Sequence, residues 1–308
     1  MRKLSIIVPC FNEEENIFPF HEAVSAVTAS LSDLETEFIF IDDGSSDNTL
    51  SEIKRLDGAF DNIKYVSFSR NFGKEAGIYA GLERVTGDYA VIMDVDLQDP
   101  PELIPEMLEC LESGEYDCVA TRRANRKGES PIRSFFARMF YRLINKMSSV
   151  EIVDGARDYQ MMIKRMVDAI VSMGEYNRFS KGIFGWVGFK RKWISFNTVE
   201  RARGTTKWSF FKLFSYAIEG IVSFSTTPLT LSALFGVIMC ITAFVMLIFI
   251  FVRALIFGDP TSGWPSLVCI ILLIAGIQLF CLGIIGQYLA KTYMETKNRP
   301  KYIVREEK

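Results

Sequence analysis

The chain has 308 residues, 49% of them hydrophobic, and a formal net charge of −2. That balance gives no global pull toward nucleic acid, and the length leaves room for one large domain or two smaller ones. His21 is the only histidine and the six cysteines contain no C-x-x-C pair. A poly-histidine metal site, or a histidine-based triad anywhere but at His21, is therefore excluded, and reduced thiols fit better than zinc or disulfides.

Met1-Arg-Lys leads directly into Leu4-Ser-Ile-Ile-Val-Pro9, a strand-like run and not a signal-peptide core, so the N-terminus is expected to stay in the cytoplasm. Asn12-Glu13-Glu14-Glu15 places acids where a helix N-terminus favours them, and Val24, Val27 and Leu31 continue at helical spacing. Phe38 to Asp42 reads as a second strand, ending in Asp42-Asp43-Gly44 and a capped helix to about Phe60. Lys64 to Ser69 follows as a third strand, Asn71 to Val85 as a helix, and Tyr89 to Met93 as a fourth strand before a helix to Glu112. Cys118 to Thr121 is the fifth strand. Alternating short apolar strands and helices predict an α/β domain with a mainly parallel sheet, whose ligands bind outside the carboxyl ends of the strands. Those ends carry Glu13, Asp42, Asp43, Arg70, Asn71, Lys74, Asp94, Asp96, Arg122 and Arg123. Neither G-x-G-x-x-G nor G-x-x-x-x-G-K-[ST] occurs, which argues against a dinucleotide fold or a P-loop.

The most informative stretch is Tyr89-Ala-Val-Ile-Met-Asp94-Val-Asp96-Leu-Gln98-Asp-Pro-Pro-Glu102. Side chains alternate in an extended chain, so Asp94 and Asp96 leave the strand end on the same side. Pro100 and Pro101 stop the strand and suit the first turn of a helix. Two carboxylates with the Gln98 amide nearby are hard oxygen ligands, suited to Mg²⁺ or Mn²⁺. The alternative is that the two acids only cap the next helix.

From Pro131 to Met147, Phe136, Met139, Phe140, Leu143 and Met147 share one helical face and Arg138, Arg142 and Lys146 the other. Such a helix suits a membrane surface, or packing on the sheet. Trp186 to Phe196 looks like one or two strands, and Arg201-Ala-Arg-Gly-Thr-Thr-Lys207-Trp208 is a basic loop before another amphipathic helix. Gly220 to Val252 and Pro260 to Ala290 carry no charged residue. Each run exceeds the roughly 20 apolar residues that cross a bilayer. Spans are expected near Leu229–Phe251 and Ser266–Ala290, joined by a short loop around Gly258–Trp264. Arg201, Arg203, Lys207 and Lys212 precede the first span and Lys291, Lys297, Arg299 and Lys301 follow the second, which places both soluble ends in the cytoplasm. The expected organisation is a catalytic domain over 1–200, a basic loop and juxtamembrane helix over 201–228, two transmembrane helices over 229–290 and a basic tail over 291–308.

The chain resembles the glycosyltransferase family 2 enzymes that load polyprenyl phosphates with sugar, such as dolichyl-phosphate mannose synthases and bactoprenol glucosyltransferases. The matching segments are Ile7-Val-Pro-Cys-Phe-Asn-Glu13, Ile41-Asp-Asp-Gly-Ser45, Ser69-Arg-Asn-Phe-Gly-Lys-Glu75, Asp94 to Glu102, and Arg201 to Trp208. The resemblance implies a GT-A fold, a nucleotide-diphosphate sugar such as a UDP-hexose, a polyprenyl phosphate acceptor and a divalent cation. It implies that Pro9, Phe11, Glu13 and Asp42 line a nucleoside pocket with Asp43 and Lys74 nearby, and that Asp94, Asp96 and Gln98 hold the metal and donor diphosphate. It further implies that Arg122 and Arg133 face the acceptor phosphate, that Arg201 and Lys207 lie near the phosphates, and that Asp158 lies near the reacting centre. Related enzymes often carry Gly-Asp-Phe-Arg where this chain has Arg157-Asp158-Tyr159-Gln160. The expected reaction is metal-dependent, inverting transfer of a hexose, with glucose leading, from a UDP-sugar to undecaprenyl phosphate at the cytoplasmic membrane. The alternatives are a GDP-mannose-dependent mannosyl synthase and a non-catalytic scaffold that binds a nucleotide sugar. Lipid-facing spans could also pack copies of the chain into a homo-oligomer.

Overall fold

The structure is a computed structural model that describes residues 2–31, 33–123, 145, 153, 155–196, 225–257 and 263–308. In chain order it contains β1 (Arg2–Cys10), α1 (Ile17–Thr28), β2 (Leu34–Asp42), α2 (Thr49–Asp57), β3 (Ile63–Phe68), α3 (Lys74–Glu83), β4 (Tyr89–Ile92) and α4 (Ile104–Glu112). There follow β5 (Cys118–Arg123), β6 (Ala156–Ile163), α5 (Lys164–Ser172), α6 (Ser180–Trp186), β7 (Arg191–Phe196), α7 (Thr227–Phe257), α8 (Trp264–Thr296) and β8 (Val304–Glu307). The strands form one sheet in the order β7-β5-β6-β4-β1-β2-β3-β8. β1 pairs in parallel with β2 and β4, and β2 with β3, as the strand–helix alternation predicts.

Both faces of the sheet are covered. Leu4, Ile6 and Val8 of β1 point into a core with Phe20 and Val24 of α1 and Met107 and Leu111 of α4. Ile7, with Ile39 and Ile41 of β2, points to the other face, against α3, α5 and α6. Burial on both sides explains why β1 reads as a continuous apolar run and not as an alternating one. The α3 layer lies very close to the sheet: a Cβ on Gly81 would stand 2.2 Å from Ile7 Cγ2. Glycine there lets helix backbone approach strand side chains.

Two strands depart from the sequence reading. Residues 156–163 form β6, which inserts antiparallel between β4 and β5, so the expected fifth strand is not the neighbour of the fourth. A run beginning Arg-Asp and continuing through Tyr159 to Met162 lacks the apolar continuity that marks the parallel strands. Of the one or two strands expected over Trp186–Phe196 one is present, and it is shorter: Trp186 closes helix α6 and only Arg191–Phe196 is extended. The segment 131–147 (apart from Asn145), the loop 201–208 and most of the helix expected over 209–228 lie outside the described residues.

α7 and α8 each contain a window long and apolar enough to cross a membrane, Thr227–Met246 and Leu273–Thr296, and neither window is buried in the protein. After α8 the chain does not trail away. Val304–Glu307 adds as an antiparallel edge strand to β3, with Tyr302 stacked on Phe68 at 4.7 Å between ring centroids. Strands from before and after the helix pair therefore share one sheet.

At the opposite edge of the sheet from the strand carboxyl ends, Glu37 gathers four partners. Lys64 Nζ lies 2.9 Å and Lys3 Nζ 3.0 Å from Oε2, the Thr86 amide donates to Oε1 over 3.1 Å, and Ser5 Oγ donates as well. Burial pushes the Glu37 carboxyl up, but these bonds outweigh it and hold it down at about 2. A depressed folded-state pKa means that the stabilisation is complete above the unfolded value and is lost as pH falls toward 2. Glu37→Gln is expected to cost about 1–3 kcal/mol at neutral pH and to flatten the acid limb between about pH 4.5 and 2, measured by urea unfolding in mild detergent. Identical acid limbs in the two proteins would contradict this. Gly81→Ala is expected to cost about 1–3 kcal/mol in the same assay through overpacking against Ile7, and an unchanged midpoint would contradict it.

Candidate active site

The loops after β1 and β2 are stitched together where a nucleoside is expected. The Asn12 amide donates to Ser45 Oγ over 3.0 Å, the Glu13 amide to Thr49 Oγ1 over 2.8 Å, and the Ser46 amide to Asn12 Oδ1 over 2.8 Å. Phe11 stays 46% exposed beside them, an aromatic face on the rim, while Pro9 is half-buried at the end of β1. Asp42 and Asp43 are both buried. Asp42 accepts from Ser67 Oγ at 2.7 Å and from the Ser45 amide at 3.0 Å, so it holds the β2–α2 turn. Gly44 in that turn has φ +66°, and a Cβ on it would meet the Arg70 backbone at 2.4 Å.

Asp43 reaches the other way. Its carboxylate accepts from the Phe72 amide at 2.6 Å and the Gly73 amide at 2.9 Å, just before α3 begins. Burial raises its pKa, against the lowering effect of those two amides. By fixing the entry to α3, Asp43 fixes the first residue of that helix, Lys74.

Lys74 is the centre of the site. Its Nζ lies 2.6 Å from Asp94 Oδ1 and 2.6 Å from Asp158 Oδ2. The β6 register explains why the two acids meet. Ile92 pairs with Gln160 in an antiparallel ladder, so continuing by two residues sets Asp94 opposite Asp158. Burial opposes charge on both Lys74 and Asp158, yet Asp94 and Asp158 drive Lys74 up, and Lys74 with Lys181 holds Asp158 down at about 2. Both groups are ionised across the whole neutral range.

Two further residues join this cluster that the sequence did not single out. Arg157 Nε donates to Asp99 Oδ1 at 3.0 Å, and its Nη2 stands 4.0 Å from Asp94 Oδ2. Asp99 is 1% exposed; burial drives its pKa up to about 6 even though Arg157 pulls it down. Among the described residues its Oδ2 has no hydrogen-bond partner. The turn between Asp94 and Asp99 is tight: Leu97 has φ +54°, rare for a bulky residue, and the Gln98 amide donates to Asp96 Oδ1 at 3.2 Å. Tyr159 Oη donates to the Pro100 carbonyl at 3.1 Å and ties β6 to this turn. The signal for Arg157 and Asp99 was their place beside Asp158 and Pro100, but only the strand register brings them to one point.

Among the described residues there is no group of three or more histidine, cysteine, aspartate or glutamate side chains arranged to hold a metal alone. Asp94 and Asp96 supply two carboxylates in the turn after β4, and buried Asp99 keeps an oxygen without a partner among the described residues. This donor set fits a hard cation that takes the rest of its coordination from substrate phosphates, the usual habit of Mg²⁺. Arg122, at the end of β5, donates to Ser195 Oγ at 2.9 Å. Arg133, Arg201 and Lys207 lie outside the described residues.

With that geometry in place, the relatives can be read against it. The family model for glycosyl transferase family 2 matches residues 5–171, which hold Lys74, Asp94, Asp96, Gln98, Arg157 and Asp158. The chain is 41% identical over 303 residues to the prophage bactoprenol glucosyl transferase homolog of Escherichia coli, covering 98% of each chain. It is 39% identical over 306 residues to the bactoprenol glucosyl transferase of Shigella phage SfV, covering 99% of each. It is also 39% identical over 303 residues to the SfII prophage-derived bactoprenol glucosyl transferase of Shigella flexneri, covering 98% of this chain and 97% of that one. The likeness runs through the apolar helices as well as the sheet. This chain belongs to glycosyltransferase family 2 and is a glycosyltransferase, its catalytic sheet a GT-A fold followed by two helices long and apolar enough to cross a membrane.

Proposed function

We propose that the protein transfers a hexose, glucose first, from its UDP conjugate to a polyprenyl phosphate at the cytoplasmic face of the membrane. The observation that carries this reading is Lys74, whose ammonium touches a donor-side carboxylate, Asp94, and an acceptor-side carboxylate, Asp158, at 2.6 Å each. The near full-length likeness to bactoprenol glucosyl transferases supports the lipid acceptor and the glucose.

In this account the nucleoside lies against Pro9, Phe11 and Glu13, with Asp42 and Asp43 holding the loops that shape its pocket. A divalent ion, Mg²⁺ or Mn²⁺, would be held by Asp94 and Asp96 with Gln98 beside them, and would neutralise the leaving diphosphate. Lys74 and Arg157 add fixed positive charge on the same side, and Arg201 and Lys207 are assigned to the phosphates. Arg122 and Arg133 are assigned to the acceptor phosphate. One acceptor phosphate oxygen attacks the anomeric carbon as the bond to the diphosphate breaks, and UDP leaves with the electron pair. Direct displacement inverts that carbon. A phosphate monoester has a second pKa of about 6, so its oxygen is already largely anionic at neutral pH. Lys74 holds the Asp158 carboxyl below the usual carboxylate range, and an acceptor oxygen that is already anionic does not need a base. The work of Asp158 is to hold Lys74 and orient the acceptor, and most of the acceleration comes from orientation and electrostatics.

The two helices anchor this site beside an acceptor that does not leave the bilayer. Basic residues on both flanks, with none in the loop 258–263 between the helices, orient the helix pair with the sheet in the cytoplasm. The return of β8 to the sheet supports the same even number of crossings.

Asp94→Ala and Asp96→Ala are expected to abolish transfer while leaving membrane insertion and yield unchanged. Turnover near the wild-type rate in either would overturn the diphosphate assignment. Lys74→Ala is expected to lower kcat by about 100-fold or more, as loss of one fixed transition-state charge does. Asp158→Asn is expected to lower kcat without creating or removing a pH-rate limb between about pH 6.5 and 9, because a carboxyl that Lys74 pulls below the usual carboxylate range does not titrate there. A limb that vanishes in Asp158→Asn would instead make Asp158 the base.

A further inference from the structure

Beyond the reacting groups, the end of α8 makes a contact that the chemistry above does not use. Glu295 lies five residues past Ala290, the last residue of the uncharged run. At a rise of 1.5 Å per residue, that is about 7.5 Å further along the helix axis. Its carboxylate accepts from the Tyr176 amide at 2.9 Å, from the Asn177 amide at 2.9 Å and from Asn177 Nδ2 at 3.0 Å. Asn177 Nδ2 also reaches the Lys291 carbonyl at 3.4 Å. One short loop is thus held by the end of a membrane helix.

That loop leads straight to the site. Arg178 donates to the Met173 carbonyl at 2.8 Å and lies 4.3 Å from the Tyr79 ring of α3, whose ring Lys301 approaches at 4.1 Å. Ser180, which opens α6, donates from its amide to Glu75 Oε2 at 2.9 Å and from its hydroxyl to the same carboxylate. Glu75 is the neighbour of Lys74, and Lys181 is one of the cations acting on Asp158. Charge-assisted bonds of this kind are the stronger ones, and here an exposed glutamate on α8 holds the loop before α6, whose first residue is in turn bonded to Glu75 on α3.

We infer that Glu295 is a positioning residue for transfer: its bonds to Tyr176 and Asn177 brace α6 and α3 against α8 and so set the height of Lys74 and Asp158 above the bilayer. This rests on the polyprenyl phosphate reading, since only an acceptor confined to the membrane makes height matter. A short-chain, water-soluble polyprenyl phosphate reaches the site from solution and does not depend on the brace.

The test uses the full-length protein in nanodiscs with UDP-glucose and either undecaprenyl phosphate in the bilayer or a short-chain acceptor in solution. Glu295→Ala is expected to lower kcat for the bilayer acceptor about tenfold, the scale of a positional coupling. kcat for the soluble acceptor and KM for UDP-glucose are expected to stay within about twofold. Glu295→Gln, which keeps an acceptor oxygen, is expected to recover most of the loss. Ser180→Ala is expected to show the same acceptor-selective loss, and the double variant no more than the larger single loss, because both cut one brace. Should Glu295→Ala fail to fold, Asn177→Ala removes one donor to the same carboxylate and is expected to show a smaller loss of the same selectivity. Equal losses with both acceptors, wild-type rates with both, or losses that multiply in the double variant would overturn the inference. A wild-type protein inactive with both acceptors would count against the transfer reading, and the inference would fall with it. An active wild type with an unselective Glu295→Ala would count against the inference alone.

Discussion

A lysine ammonium between two carboxylates from different strands is the constraint on which the rest of the site depends. Lys74 can bridge Asp94 and Asp158 only because β6 runs antiparallel beside β4 in the register that sets the two acids opposite each other. Arg157, one residue before Asp158, then reaches Asp94 and buried Asp99 from the adjacent position. Asp43 completes the arrangement from the neighbouring loop by fixing the amides that precede α3. Lys74 and Arg157 are held in place by the acids around them, so on the proposed reading a diphosphate with its divalent ion would meet positive groups that are already fixed. Such preorganisation lets charge that develops during transfer be met without rearrangement.

The sheet also constrains how the protein meets the membrane. Strand β8 comes after both apolar helices yet pairs with β3, so the helix pair is a detour from a domain that closes only when the chain has returned. Lys54 with Glu306, at 2.7 Å, and Lys308 with Asp57, at 2.7 Å, fasten that return at the exposed sheet edge. A catalytic domain tied at both ends of a hairpin has less freedom to tilt than one on a single tether. For a reaction between a soluble donor and a lipid phosphate, that restriction is useful.

Much of this was legible in the sequence. Parallel strands buried on both faces leave uninterrupted apolar runs, so β1 to β4 and their helices stood out; the alternation argument for Asp94 and Asp96 does not carry over, because β4 ends at Ile92 and the acids lie in the turn beyond it. Spans of uncharged residues were equally plain. What could not be read was long-range pairing. β6 opens with Ala156, Arg157 and Asp158, and nothing local distinguishes a strand whose charged end lines a site from a loop. β8 is four residues long and polar on one side, and its partner β3 lies far away in sequence. The contributions of Arg157, Asp99 and Glu295 all follow from such pairings, and so were visible only once the chain had closed on itself.

The central claim is that this site joins a nucleotide sugar to a membrane-embedded phosphate. Its most direct test is to offer the purified, detergent-solubilised protein undecaprenyl phosphate with a panel of labelled UDP- and GDP-sugars, with and without EDTA. The expected result is label moving into the organic phase from UDP-glucose and stopping on chelation. Transfer from GDP-mannose alone would reassign the donor. Binding of a nucleotide sugar with no transfer from any donor would contradict the account and favour a scaffold.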